Sequence, residues 1–338
     1  MVFDKFDGYL AAIETEMRRS FAVSAKELTP YYGMISYHLG WVDQSFCPSE
    51  QRPGKRLRPV LCLLSCEACG GDWGQAVPAA ATLELLHNFS LIHDDIEDGS
   101  PQRRHRPTIW SLWGQAQAIN VGDGLFAISR LALQRLSEQG VSPEKIVRAF
   151  RHVDETCLQL TEGQYLDLAF EEQERVTVDM YMEMIGKKTA ALMACSTQLG
   201  ALLATDDEFV IDSYRSFGYQ LGLLFQIVDD MLGIWGSSEA TGKGVGEDIV
   251  SKKKSLPVLY ALQQSDELRD IYRQESMDAE QQQIVMERLE SLSARQYAEE
   301  MAARHLELAL DALENTRIQN QAHENLRKTA HFLIERQH

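Results

Sequence analysis

AVPAAATLELLHNFSLIHDDIED, residues 76–98, is the stretch on which the reading of the fold turns. Val77, Ala80, Ala81, Leu83, Leu85, Leu86, Phe89, Leu91 and Ile92 recur with a helical period, not the alternation of a strand. They cover most of the helix circumference, and a helix of that kind belongs inside a protein. The same run ends in four acidic residues, Asp94, Asp95, Glu97 and Asp98. Carboxylates are costly to bury unpaired, so this end needs a cation, a basic partner or water.

Working outward, similar helical segments are expected at 118–136, 143–168, 178–204, 208–235 and 280–337. Gly, Pro, Ser or Asp punctuate the breaks at 47–54, 69–74, 99–107, 137–142, 204–207 and 236–248. Almost nothing alternates like a strand, and no Ser- or Pro-rich linker divides the chain. The expectation is an all-α fold: one domain over residues 1–338, a large helical bundle with a central apolar cavity and its chemistry between facing helices.

The chain is 44% hydrophobic and 25% charged, ordinary values for a globular protein. Its net charge of −17 argues against nonspecific nucleic-acid binding, which needs a basic surface. Cys62, Cys66 and Cys69 recur at helical spacing in an apolar stretch and read as a core stripe, not a metal site. The N-terminal MVFDKFDGYLAAIETEMRR is amphipathic, without the apolar centre of a secretory signal. No run approaches the roughly 18 apolar residues of a membrane span. A cytoplasmic location is the expectation.

A second acidic cluster, Phe225-Gln226-Ile227-Val228-Asp229-Asp230, also lies at the end of an apolar run. In the first cluster Asp94 and Asp98 are one helical turn apart on one face, and His87 falls on nearly the same face. Such a pair suits magnesium, which takes oxygen ligands, keeps waters and bridges carboxylates to phosphates. Basic groups accompany both clusters. They are Lys55, Arg56 and Arg58; Arg103, Arg104 and Arg106; Lys187 and Lys188; and Lys252, Lys253 and Lys254. Arginine grips phosphate with paired hydrogen bonds, and lysine acts as a compact charge.

Eight fragments in order make the chain similar to a known family. They are GKRLRP (54–59), ELLH (84–87), DDIED (94–98), RRHRPT (103–108), GQYLDL (163–168), KTAAL (188–192), FQIVDD (225–230) and GKGVGED…KKKSLP (242–257). With these landmarks the sequence resembles the trans-type isoprenyl diphosphate synthases, which include farnesyl and geranylgeranyl diphosphate synthases. The resemblance implies a prenyltransferase that joins isopentenyl diphosphate to an allylic diphosphate. It implies that Asp94 and Asp98, supported by Asp95, and Asp229, with Asp230 nearby, hold about three magnesium ions. It places Arg103, Lys188 and Lys253 on the allylic diphosphate. Lys55, Arg58, His87 and Arg104 then hold isopentenyl diphosphate, with Lys243 as a further substrate contact and Thr189 and Gln226 as supporting polar groups. It implies a homodimer.

Two positions depart from the family pattern. The second motif normally ends in a third aspartate, and here that position is Gly233. His105 stands where glycine usually follows the arginine pair. Product length in the family depends on bulk just before the first motif. Phe89 and Ser90 resemble the short-chain geranylgeranyl type, with the aromatic ring as a steric floor. Geranylgeranyl diphosphate is the favoured product. A noncatalytic or partner-dependent subunit is one alternative, supported only by Gly233. A terpene cyclase is the other, disfavoured because a cyclase needs no second diphosphate substrate.

Overall fold

The structure is a computed structural model that describes residues 6–21, 25–49, 54, 56–236, 246–274 and 276–335. Lys55 and Lys243 lie outside the described residues. The all-α expectation holds. Among the described residues the sheet content is one pair of two-residue strands, β1 Gln102–Arg103 and β2 Arg106–Pro107. No helix among them is long and apolar enough to cross a membrane.

The residues group into two compact units. The first comprises Met1–Cys157, Cys195–Tyr214 and Ile318–Leu326. It holds α1 (Asp7–Arg19), α2 (Thr29–His38), α3 (Leu57–Ala68), α4 (Val77–Glu97), α5 (Ile109–Trp113) and α6 (Gln115–Gln134). The quoted stretch is α4. Pro78 sits in its first turn, where the missing N–H costs nothing. Leu83, Leu85 and Leu86 point to different sides of α4, and all are fully buried, as the all-round apolar pattern requires. Each such burial is worth roughly 1.5–3 kcal/mol. Helices α1, α3 and α6 supply the packing surfaces.

The end of α4 is fixed by backbone geometry. Gly99 takes φ +60°, Ser100 N–H donates to Asp95 C=O at 2.9 Å, and Gly99 N–H donates to Ile96 C=O at 3.2 Å. This is a Schellman stop. It leaves Asp94, Asp95, Glu97 and Asp98 at the negative end of the helix dipole, where carboxylates are disfavoured without nearby positive charge.

The second unit comprises Leu158–Ala194, Arg215–Arg317 and Arg327–His338. It includes 158–172 of α7 (Pro143–Glu172), α8 (Val178–Ile185), a π turn at Gly186–Ala190, 191–194 of α9 (Ala191–Ala204) and 215–235 of α10 (Glu208–Trp235). Short helices follow at Glu247–Val250, Leu256–Gln264 and Asp266–Arg273. The expected segment 280–337 is three helices, Ala279–Ser291, Ala294–Asn315 and Gln321–Glu335, broken at Ser293 and Arg317, both with positive φ. Ile234, Ile249, Val258, Leu268, Val285 and Leu289 share one core cluster. That cluster fastens the end of α10 to the Glu247–Val250 helix.

The cysteine stripe is as expected. Cys62 and Cys66 are buried, Cys69 is half-buried, and all three are free thiols.

Candidate active site

The first unit gathers the first acidic motif with its arginines. Asp95 is buried, and Arg103 Nε donates to its Oδ1 at 2.7 Å. Burial pushes the Asp95 carboxyl up to about 6, against the pull of Arg103. Asp94 is half-buried and Asp98 exposed. One carboxylate is thus committed to an arginine, and the pair one turn apart faces outward.

A hairpin delivers that arginine. β1 and β2 pair through Arg103 and Arg106, and the two turn residues, Arg104 and His105, have φ +51° and +61°. Two positive φ values are what a tight type I′ hairpin turn requires. His105 therefore occupies a position that favours glycine for a stated reason: an L side chain there is strained. The hairpin is tied down around its base. Arg106 lies over the Tyr37 ring at 4.0 Å and donates to the Tyr37 and Val42 carbonyls. Tyr37 Oη donates to Pro107 C=O, and Trp110 Nε1 donates to Ser100 C=O, both at 2.8 Å. Arg106 is thereby a structural clamp, while Arg103 and Arg104 remain at the motif.

Arg58, His87 and Arg104 share one electrostatic neighbourhood. Burial, then Arg58, Arg104, Arg103 and His38, hold His87 well below the usual histidine range, so its ring is neutral at pH 7. The buried Glu84 carboxylate acts on both Arg58 and Arg104 and partly balances them. Arg58 Nε is buried with no hydrogen-bond partner among the described residues. A Cβ on Gly54 would fall 2.6 Å from Arg104 Nη2, so the glycine of GKRLRP makes room for that guanidinium. Arg56, Glu84, Asn88, Asp95, Arg103 and Arg104 border a cavity of about 80 Å³. An unpartnered buried donor among fixed positive charges is what an oxyanion would complete.

Phe89 is buried and meets Phe126 edge-on at 5.2 Å and His93 at 5.8 Å. Ser90 Oγ turns back to the His87 carbonyl.

The second unit carries the second motif. Asp229 is exposed, whereas Asp230 is fully buried. Asp230 Oδ2 accepts from Tyr181 Oη and from Leu256 N–H (3.1 Å), and its Oδ1 accepts from Gln226 Nε2 at 3.1 Å. Burial raises the Asp230 pKa against these donors and Lys253. Thr189 Oγ1 in turn donates to Gln226 Oε1 at 2.9 Å. The π turn brings Lys188 and Thr189 here, and such turns recur at functional sites. Lys188 Nζ pairs with Asp167, a residue within the GQYLDL fragment.

The lysine run 252–254 divides three ways. Lys254 Nζ donates to the Phe170, Glu171 and Gln173 carbonyls at the end of α7, and Lys252 donates to the Gln274 carbonyl. Lys253 Nζ stands 3.7 Å from Asp230 Oδ1 and 3.7 Å from Asp248 Oδ2. Burial works against its charge, but Asp230, Asp248, Asp229 and Asp167 outweigh it and hold its pKa above that of a free lysine.

Among the described residues no three His, Cys, Asp or Glu side chains already form a metal cage. The donors still fit magnesium, because that ion fills its shell largely with water and phosphate oxygens around one or two carboxylates. Asp94 and Asp98 at a helix's negative end, and Asp229 beside a buried aspartate, are oxygen-only sets of that kind.

Sequence reasoning missed His38, Glu84, Asn88, Tyr181, Asp167 and Asp248. Glu84, Asp167 and Asp248 lay inside quoted fragments. The others carried no signal, since an isolated histidine, asparagine or tyrosine on an apolar helix reads as core until its neighbours are known.

A family model for polyprenyl synthetase matches residues 40–289. A (2E,6E)-farnesyl diphosphate synthase of Mycobacterium tuberculosis is 37% identical over 312 residues, 90% of this chain and 86% of that protein. A geranylgeranyl diphosphate synthase of the same organism is 45% identical over 238 residues, 70% of this chain and 67% of that protein. Among solved structures, a polyprenyl synthetase from Streptomyces coelicolor A3(2) aligns with a TM-score of 0.86 at 35% identity, over 96% of both chains. A geranylgeranyl pyrophosphate synthetase from Pyrococcus horikoshii aligns with a TM-score of 0.87 at 32% identity, over 99% of this chain and 98% of that one.

Proposed function

The chain belongs to the polyprenyl synthetase family, and from that premise we propose that it condenses isopentenyl diphosphate with an allylic diphosphate to give a short-chain prenyl diphosphate, geranylgeranyl diphosphate being favoured. The observation that carries the reading is the same in both units. In each, a buried aspartate with a basic neighbour directly follows a less buried aspartate on a largely apolar helix.

Asp94, Asp98 and Asp229 are the residues that would hold magnesium, which when bound neutralises the negative charge of a departing diphosphate. Arg103, Lys188 and Lys253 place fixed positive charge at that leaving group and so favour breaking the allylic C–O bond. Arg58 and Arg104 bind the diphosphate of isopentenyl diphosphate, with neutral His87 as a hydrogen-bond donor and Lys55 as a further contact, and Lys243 is an additional substrate contact. The apolar helices exclude water, which would otherwise trap the allylic cation. The double bond of isopentenyl diphosphate attacks that cation, and loss of a proton restores a double bond. Phe89, backed by Phe126 and His93, limits how far the growing tail extends. A homodimer belongs to the same reading, and sedimentation equilibrium tests it.

The deciding experiment is a product assay. The purified chain is incubated with magnesium, isopentenyl diphosphate and, separately, dimethylallyl, geranyl and farnesyl diphosphates, and the products are resolved by length. Magnesium-dependent elongation is expected. A folded protein that elongates none of the three would overturn the proposal, and hydrocarbon formed without isopentenyl diphosphate would indicate a cyclase.

A further inference from the structure

The half-buried Lys254 ammonium is directed at backbone. Its Nζ donates to the carbonyls of Phe170 (2.7 Å), Glu171 (3.0 Å) and Gln173 (2.7 Å). An ammonium has three protons, and this one meets three acceptors. The last carbonyls of a helix lack intrahelical donors and form the negative end of its dipole, so a cation there answers both needs. Because α7 ends at Glu172, Lys254 is its cap, supplied from a distant part of the chain.

The cap lies between two groups already placed at the site. On α7, Asp167 is about one turn before Phe170 and pairs with Lys188. A Cβ on Gly163 would fall 2.4 Å from the Lys188 backbone nitrogen, so α7 lies directly against the π turn that carries Lys188. A shift of α7 is therefore felt at that lysine. On the other side, Lys253 immediately precedes Lys254, and its Nζ is 3.7 Å from Asp230 Oδ1. Leu256 N–H donates to Asp230 Oδ2 at 3.1 Å. The segment 253–256 is thus held to α10 at both ends and to α7 in between. Asp167 also acts electrostatically on Lys253, so both lysines take their reference from α7.

We propose that Lys254 is a positioning residue: by closing the carbonyl end of α7 it holds Lys253 and the Asp167–Lys188 pair in one arrangement around the departing diphosphate. The inference rests on the functional reading above for the identity of that ligand. The cap itself does not.

The test uses the full chain in four forms: unaltered, Lys254→Met, Lys254→Arg and Glu174→Gln. Glu174 accepts from Arg273 just beyond the same helix end, so its variant loosens that end without touching the lysine segment. Binding of inorganic diphosphate with magnesium is measured by calorimetry. Steady-state kinetics are measured with the allylic and isopentenyl diphosphates varied in turn. Lys254→Met keeps the stem and loses the charge. It should weaken diphosphate binding and lower kcat/KM for the allylic substrate, each by about tenfold or more, with KM for isopentenyl diphosphate unchanged. Lys254→Arg keeps the cation at the helix end, but its planar fork cannot reproduce three converging bonds, so its loss is intermediate. Glu174→Gln should match the unaltered chain in both readouts. A Lys254→Met variant that loses only melting temperature would overturn the proposal, as would equal losses for the two substrates. Losses in Glu174→Gln as large as those in Lys254→Met would also overturn it. If the unaltered chain binds diphosphate but elongates nothing, the functional reading fails, and the diphosphate titration of the four forms alone decides the role of Lys254.

Discussion

Asp229 and Asp230 are adjacent and chemically identical, yet replacing each by asparagine is expected to damage the protein in different ways. Asp230 is fully buried and accepts three hydrogen bonds, from Tyr181, Leu256 and Gln226, with Lys253 nearby. In Asp230→Asn the amide oxygen can keep the Tyr181 and Leu256 donors. The amide nitrogen then faces Gln226 Nε2 and Lys253, so one acceptor becomes a donor among donors. Breaking a buried charge pair costs about 3–5 kcal/mol when one partner is left stranded. Two effects reduce that figure here. Asp248 still neutralises Lys253, and the burial that raises the Asp230 pKa means that removing the charge relieves some desolvation. The expected loss is therefore about 2–3 kcal/mol. For a chain of 338 residues that corresponds to a fall in melting temperature of roughly 3–4 °C. Asp229 is exposed, so Asp229→Asn should change stability by no more than about 0.5 kcal/mol while abolishing most turnover. Differential scanning calorimetry of both variants, alongside the product assay, decides the matter. Equal melting temperatures, or a larger fall for Asp229→Asn, would refute the division of labour.

Asp94→Ala should reduce kcat on the order of hundredfold or more while the helical circular-dichroism spectrum is retained; near-normal turnover would sink its assignment. Phe89→Ala removes the ring that meets Phe126 and His93, and should lengthen the products at a stability cost of about 3 kcal/mol, read by chromatography and urea unfolding. His38 carries a pH dependence. Burial first, then Arg103, Arg104 and Arg106, lower its pKa from 6.5 to about 3. Between those values the unfolded chain binds the extra proton, so this contribution is present above 6.5 and is lost as the pH falls. At pH 4.5 the loss is on the order of 2–3 kcal/mol, and His38→Gln should flatten the urea-midpoint profile between pH 7 and 4.5.

The helices were legible because burial leaves a periodic trace. The run 76–98 announced an interior helix, and α4 spans Val77–Glu97 with Leu83, Leu85 and Leu86 fully buried. The acidic clusters were legible for the complementary reason: charge at the end of an apolar run contradicts its surroundings unless something pairs with it. The hairpin at 102–107 was not visible, because its strands are two residues long and Arg104 and His105 carry none of the usual glycine or asparagine turn signal.

Sequence by itself determined that the chain is helical, that two carboxylate motifs follow apolar runs, and that basic residues accompany them. Those are properties of composition and of spacing along one chain. It could not sort equivalent neighbours. Whether Asp229 or Asp230 stays open, and which of Lys252, Lys253 and Lys254 faces acid, depends on which side of the backbone meets another element. Gly233 shows this most plainly. In the sequence it is a missing carboxylate, whereas in the structure the carboxylate of Asp248 stands against it, 15 residues later in the numbering. Only tertiary packing brings those two positions together, because the core shared by Ile234 and Ile249 sets the distance between helices that no local pattern encodes.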